Sequence, residues 1–112
     1  MKVVVLSGSP RKNGNTQIMM KHVLEYVNQK EVNVKFINLA DDGFESFKGA
    51  ANEVNYNEKT LQAAKDITEA NIWLVGVPVY NSMFSAALKN IFEFVNYKET
   101  EGKTAGLTIV AG

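Results

Sequence analysis

Val3-Val4-Val5-Leu6 sets four apolar residues in a row, three of them β-branched, and runs directly into Ser7-Gly8-Ser9-Pro10. A strand without polar alternation has no face to offer water, so this run calls for cover on both sides, as in the centre of a parallel sheet. Ile72-Trp73-Leu74-Val75-Gly76-Val77 makes the same demand, and Pro78 ends it because proline donates nothing to a ladder. Around these two runs the period changes. Ile18, Met19, Val23 and Val27 fall at helical spacing behind Asn15 or Thr16, either of which suits a cap. Val32, Val34, Phe36 and Ile37 read as a second strand, and Leu61, Ala64 and Ile67 as the inner face of a helix over Thr60–Ala70. Leu88, Ile91, Phe92 and Val95 mark a helix over Ser85–Val95, capped by Ser82 or Ser85. Ala105, Leu107, Ile109 and Val110 make a fourth strand within Lys103–Ala111, while Asp41–Asn57, with its two glycines and mixed polarity, reads as loop.

Strands alternating with helices in a chain of 112 residues imply parallel pairing with right-handed crossovers, in one domain large enough to bury its own core. The expected architecture is α/β, a doubly wound parallel sheet of order 2-1-3-4. Its strand order reverses between the first and third strands. Ligands of such sheets bind in the crevice beyond the carboxyl ends of the strands at that reversal. The loops that open there are Ser7–Thr16 and Pro78–Ser82.

The first loop limits what the crevice accepts. A P-loop needs two glycines at fixed spacing and a Lys followed by Ser or Thr, whereas Lys12 precedes Asn13. A dinucleotide fingerprint needs three glycines, and the loop offers Gly8 and Gly14. Instead Ser7, Ser9, Asn13, Asn15 and Thr16 supply side-chain donors and Arg11 a fixed charge. That set at a helix N-terminus suits a terminal monophosphate with three oxygens to satisfy, the group that flavin mononucleotide (FMN) carries.

Composition removes other classes. Twelve basic residues balance twelve acidic ones, so nothing favours nucleic acid or an anionic membrane. No cysteine is present for disulfides, thiolate metal sites or iron–sulfur clusters. The apolar start is too short for a signal h-region, which leaves the cytoplasm as the expected location. Trp73 reads as core, His22 as a surface side chain without an acid–base partner, and the methionines as packing rather than metal ligands.

Gly8-Ser9-Pro10-Arg11-Lys12-Asn13-Gly14-Asn15-Thr16, together with Pro78-Val79-Tyr80-Asn81 and Ala87-Leu88-Lys89-Asn90, resembles the NADPH-dependent FMN reductase family of the flavodoxin-like fold. The resemblance implies that Ser9, Arg11, Asn15 and Thr16, with Asn13 in the same loop, hold the FMN phosphate. It implies that Pro78, Val79, Tyr80 and Asn81 border the isoalloxazine ring. NADPH or NADH would be the reductant, and a flavin, quinone or azo compound the acceptor. The alternatives are an FMN electron carrier without a nicotinamide site, and a non-catalytic flavodoxin-like domain. Family members continue past the fourth strand into a further strand and a last helix, which this chain lacks. Cover for its open edge is expected from a homo-oligomer or from a longer reading frame.

Overall fold

The computed structural model describes residues 1–49, 55–80 and 83–111. In chain order the elements are β1 (Lys2–Ser7), α1 (Asn15–Asn28), β2 (Asn33–Asn38), α2 (Glu58–Glu69), β3 (Ile72–Tyr80), β4 (Met83–Phe84), α3 (Ala86–Glu93), a 3-10 turn (Tyr97–Glu99) and β5 (Thr104–Ala111). β1 is central, parallel to β2 on one edge (Val5↔Phe36) and to β3 on the other (Val5↔Leu74). β5 lies parallel to β3 from Ile72↔Thr104 to Val79↔Ala111. The expected order of parallel strands is therefore present, with β5 as the fourth.

β4 is an addition that the sequence pattern does not announce, being two residues long and antiparallel to the end of β3. Val79 pairs with both Ala111 and Phe84, so β4 takes the edge of β3 that β1 gives up after Ser7↔Gly76.

Alternation along β1 sends its side chains into two apolar layers. Val4 and Leu6 join Ile67 of α2 and Leu88 and Ile91 of α3, while Val3 and Val5 meet Met20 and Val27 of α1. This explains why β1 has no polar position from Val3 to Leu6.

The inward face of α1 differs from the expected one. Ile18 and Met19 are 50% and 45% exposed, and Thr16, Gln17, Met20 and Val27 are buried. Gly76 decides the matter, because a Cβ there would lie 2.5 Å from Met20 Cγ and 3.0 Å from Thr16 Cγ2. The helix rests on the one position of β3 that has no side chain. Gly14, extended at φ −81° and ψ 175°, is the N-cap of α1 in place of Asn15 or Thr16, and has no side chain with which to cap.

In α2 the buried set is Thr60, Ala63, Ala64 and Ile67, and Leu61 is exposed. A polar residue takes the inward place because Thr60 Oγ1 accepts the Glu45 amide at 2.9 Å. Asn57 caps α2 through Thr60 N–H, and Ser85 caps α3 through Leu88 N–H.

The 43–48 segment is loop, as expected, but it is held firmly. Asn90 accepts Phe47 N–H and donates to Glu45 O, both at 2.8 Å; Tyr56 OH accepts Lys48 N–H at 2.9 Å; Asn57 donates to Gly43 O at 2.7 Å. Phe47, Tyr56 and Phe94 stack and meet edge-on beneath it.

Trp73 donates Nε1–H to Ile67 O at 2.7 Å and meets Phe92 edge-on. It lines an apolar groove of about 620 Å³ between α3 and β5, with Val75, Val77, Leu88, Phe92 and Leu107. On that face of β5, Leu107 and Ile109 are 65% and 68% exposed.

Candidate functional site

β1 and β3 separate at their carboxyl ends, and the first loop emerges between them under close constraint. Gly8 N–H donates to Gly76 O at 3.0 Å, and Ser85 Oγ donates to Gly8 O at 2.5 Å. A Cβ on Gly8 would sit 2.6 Å from the Gly76 carbonyl oxygen, so this backbone approach requires glycine.

Beyond Gly8 the loop folds on itself. Ser9 Oγ accepts the Arg11 amide at 3.1 Å, a hydroxyl-closed turn. Asn13 takes φ 56°, a left-handed conformation that asparagine tolerates better than most residues, and its N–H donates to Gln17 Oε1 at 3.0 Å. This reversal delivers Gly14 to the start of α1. The first turn of α1 contains no acidic residue, so nothing within it offsets the positive end of the helix dipole.

A cleft joins the two loops singled out in the sequence. Ser9, Arg11, Gly14, Asn15 and Thr16 line one wall, Pro78 and Val79 another, and Val110 closes it from β5. The side chain of Arg11 runs across Gly14, where a Cβ would come within 3.4 Å of Arg11 Cγ and Cδ. Of the expected phosphate residues, Ser9, Arg11, Asn15 and Thr16 line this cleft, and Asn13 does not. Asn13 instead shapes the turn through Gln17. Pro78 and Val79 line the cleft as well. Tyr80 is described only as the last backbone position of β3, and Asn81 lies outside the described residues. Gly14 and Val110 join the cleft without having been expected there; the Pro78↔Val110 register brings Val110 in.

Chemically the cleft suits an anion. Its polar wall carries hydroxyl, amide and guanidinium groups, no carboxylate lines it among the described residues, and an uncapped helix N-terminus opens into the same loop. Ser7 Oγ is a fully buried hydroxyl without a hydrogen-bond partner among the described residues, and its cross-strand partner is Gly76, the position on which Thr16 rests. That hydroxyl does not line the cleft itself; it lies at the carboxyl end of β1, one residue before the Gly8 turn. A phosphate monoester meets the demands of the cleft, so the donor set fits FMN.

Comparison with known proteins agrees. The family model for NADPH-dependent FMN reductase matches residues 1–112. An iron–sulfur flavoprotein of Methanocaldococcus jannaschii is 30% identical over 83% of this chain and 51% of its own length. An NAD(P)H-dependent FAD/FMN reductase of Geobacillus thermodenitrificans is 25% identical over 100% of this chain and 60% of its own. An FMN-dependent NADH-azoreductase of Bacillus anthracis, solved with FMN, superposes with a TM-score of 0.73 at 16% identity, covering 100% of this chain and 70% of its own. The chain thus spans between half and two thirds of the length of the first two of these relatives. Residues 1–112 contain no cysteine.

Proposed function

The chain belongs to the NADPH-dependent FMN reductase family, and from that premise we propose that residues 1–112 form one FMN-binding unit of an NAD(P)H-dependent oxidoreductase. The observation that carries this reading is the donor-lined cleft, where the first loop meets the end of β3. Ser9, Arg11, Asn15 and Thr16 hold the phosphate by charge-assisted and neutral hydrogen bonds, with Asn13 fixing the turn that presents them. Pro78, Val79, Tyr80 and Asn81 border the ring. FMN, when bound, supplies the hydride chemistry between NADPH or NADH and a flavin, quinone or azo acceptor. The chain's own contribution is to bind, orient and shield; no side chain is assigned a proton-transfer role. The need for a reduced nicotinamide argues for the cytoplasm. Among the described residues no helix is long and apolar enough to cross a membrane.

Self-association belongs to the same reading. Leu107 and Ile109 lie exposed beside an apolar groove on an edge strand, and a second copy covering them is expected to bury at least about 1,200 Å² in total.

Purification followed by an absorbance spectrum and flavin titration tests the proposal. The expected result is a yellow protein, or an apoprotein that takes up FMN stoichiometrically, and that oxidises NADPH or NADH when a quinone or azo dye is present. A folded protein that binds no FMN refutes it. FMN binding with a stable semiquinone and negligible nicotinamide oxidation would make the protein an electron carrier instead.

A further inference from the structure

The hydroxyl of Ser85 ties the first loop of the crevice to the N-terminus of α3. Ser85 is buried, and it follows β4 directly, whose partners are Val79 and Tyr80 on the ring side of the proposed site. Its Oγ accepts Leu88 N–H at 3.1 Å and donates to Gly8 O at 2.5 Å. A hydroxyl has one proton, so with Leu88 as donor to the oxygen that proton goes to Gly8. Gly8 is then held on both sides, its amide on Gly76 O and its carbonyl on Ser85.

We propose that Ser85 is a positioning residue for phosphate recognition, fixing the start of the Ser9–Thr16 loop relative to the ring-side segment that ends β3. The proposal rests on the reading of the cleft as an FMN phosphate site. Without the Ser85 proton, Gly8 O remains buried and unpaired, and the Gly8–Ser9 peptide turns to find another donor. Ser9 comes next in the chain and lines the cleft, so the donor set moves as a unit. The loop's contribution is to the phosphate, which riboflavin lacks.

The test separates this role from simple helix capping. Ser85→Gly removes both bonds of the hydroxyl but costs the helix start little, because glycine is only slightly worse than serine at an N-cap; Ser85→Thr keeps both bonds. FMN and riboflavin affinities are measured by fluorescence titration on wild type, Ser85→Gly, Ser85→Ala and Ser85→Thr. The preference for FMN over riboflavin is expected to fall about tenfold in the Gly and Ala variants, the scale of one lost hydrogen bond with its unpaired partner, and to persist in Ser85→Thr. Equal losses for both flavins, or an unchanged preference in Ser85→Gly, overturn the proposal. A wild type that binds both flavins equally well overturns the phosphate reading itself. Amide hydrogen exchange on flavin-free protein gives an independent arm. Protection of the Gly8 and Arg11 amides is expected to drop in Ser85→Gly while that of β2 is kept; unchanged protection at Gly8 and Arg11 overturns the clamp.

Discussion

Replacing Gly76 by alanine puts a methyl group where the structure has no room for one. The added Cβ would lie 2.5 Å from Met20 Cγ, 2.7 Å from Met20 Sδ and 3.0 Å from Thr16 Cγ2. Non-bonded carbons prefer roughly 3.5–4.0 Å, so the overlap with Met20 is about 1 Å. Met20 is buried among Val3, Val5 and Val27 and cannot swing into solvent. Either it repacks or α1 lifts. Overpacking of this kind costs about 1–3 kcal/mol, and removing a glycine returns roughly 0.4–1 kcal/mol through the unfolded chain. The net loss is about 1–2 kcal/mol, or roughly 3–12 °C in Tm for a domain of this size.

A double-mutant cycle sharpens the expectation. Met20→Ala alone is expected to cost about 2–5 kcal/mol by leaving a cavity. In that background Gly76→Ala should be neutral or stabilising, because its methyl fills the space that Met20 vacated. Chemical denaturation of all four proteins measures the coupling. Equal cost of Gly76→Ala with and without Met20 would refute the claim that Gly76 sets the seat of α1.

Arg11→Ala is expected to weaken FMN binding by about 1.5–3 kcal/mol, nearer the lower bound because Arg11 is exposed, and to leave riboflavin affinity unchanged; equal losses for both ligands would mean that Arg11 reads no phosphate. Asn90→Ala removes both bonds that hold the 45–47 backbone to α3, so about 2 kcal/mol of stability and the loop's resistance to limited proteolysis should go together, and a protease-resistant variant would refute the clamp. Wild type is expected to self-associate at micromolar concentration and Leu107→Lys with Ile109→Lys to sediment as a monomer, and equal association of the two would place the interface elsewhere.

Sequence and structure agree best where burial alone decides. β1 and β3 are legible because no residue from Val3 to Leu6 or from Ile72 to Leu74 gives water a face. The first loop is legible as a wall of the cleft because its polar residues lie close together in the chain. Agreement fails where a distant residue casts the deciding vote. Apolar residues at 18, 19, 20, 23, 24 and 27 cover so wide an arc of α1 that spacing cannot select its centre, and Gly76 makes the choice from another strand. Thr60 turns inward because of Glu45, fifteen positions away. The 43–48 segment carries no period at all, since its order comes from Tyr56, Asn57, Thr60 and Asn90 bonding its backbone. Asn13, expected to touch the ligand, is engaged with Gln17, a local pairing that composition cannot distinguish from ligand binding.

Trp73 is the only tryptophan in the chain, which makes it a built-in optical reporter with a known address. Its indole lies in the α3–β5 groove, with its N–H held by Ile67 and Lys103 over its ring. Covering that groove with another chain should shift its emission toward the blue by removing water from the ring. Val79 lies six residues further along the same strand, about 20 Å away. A flavin bound there absorbs in the range where indole emits, so its arrival should dim Trp73 without changing its colour. One residue therefore reports two events on two channels, wavelength for association and intensity for cofactor uptake, in the unmodified protein.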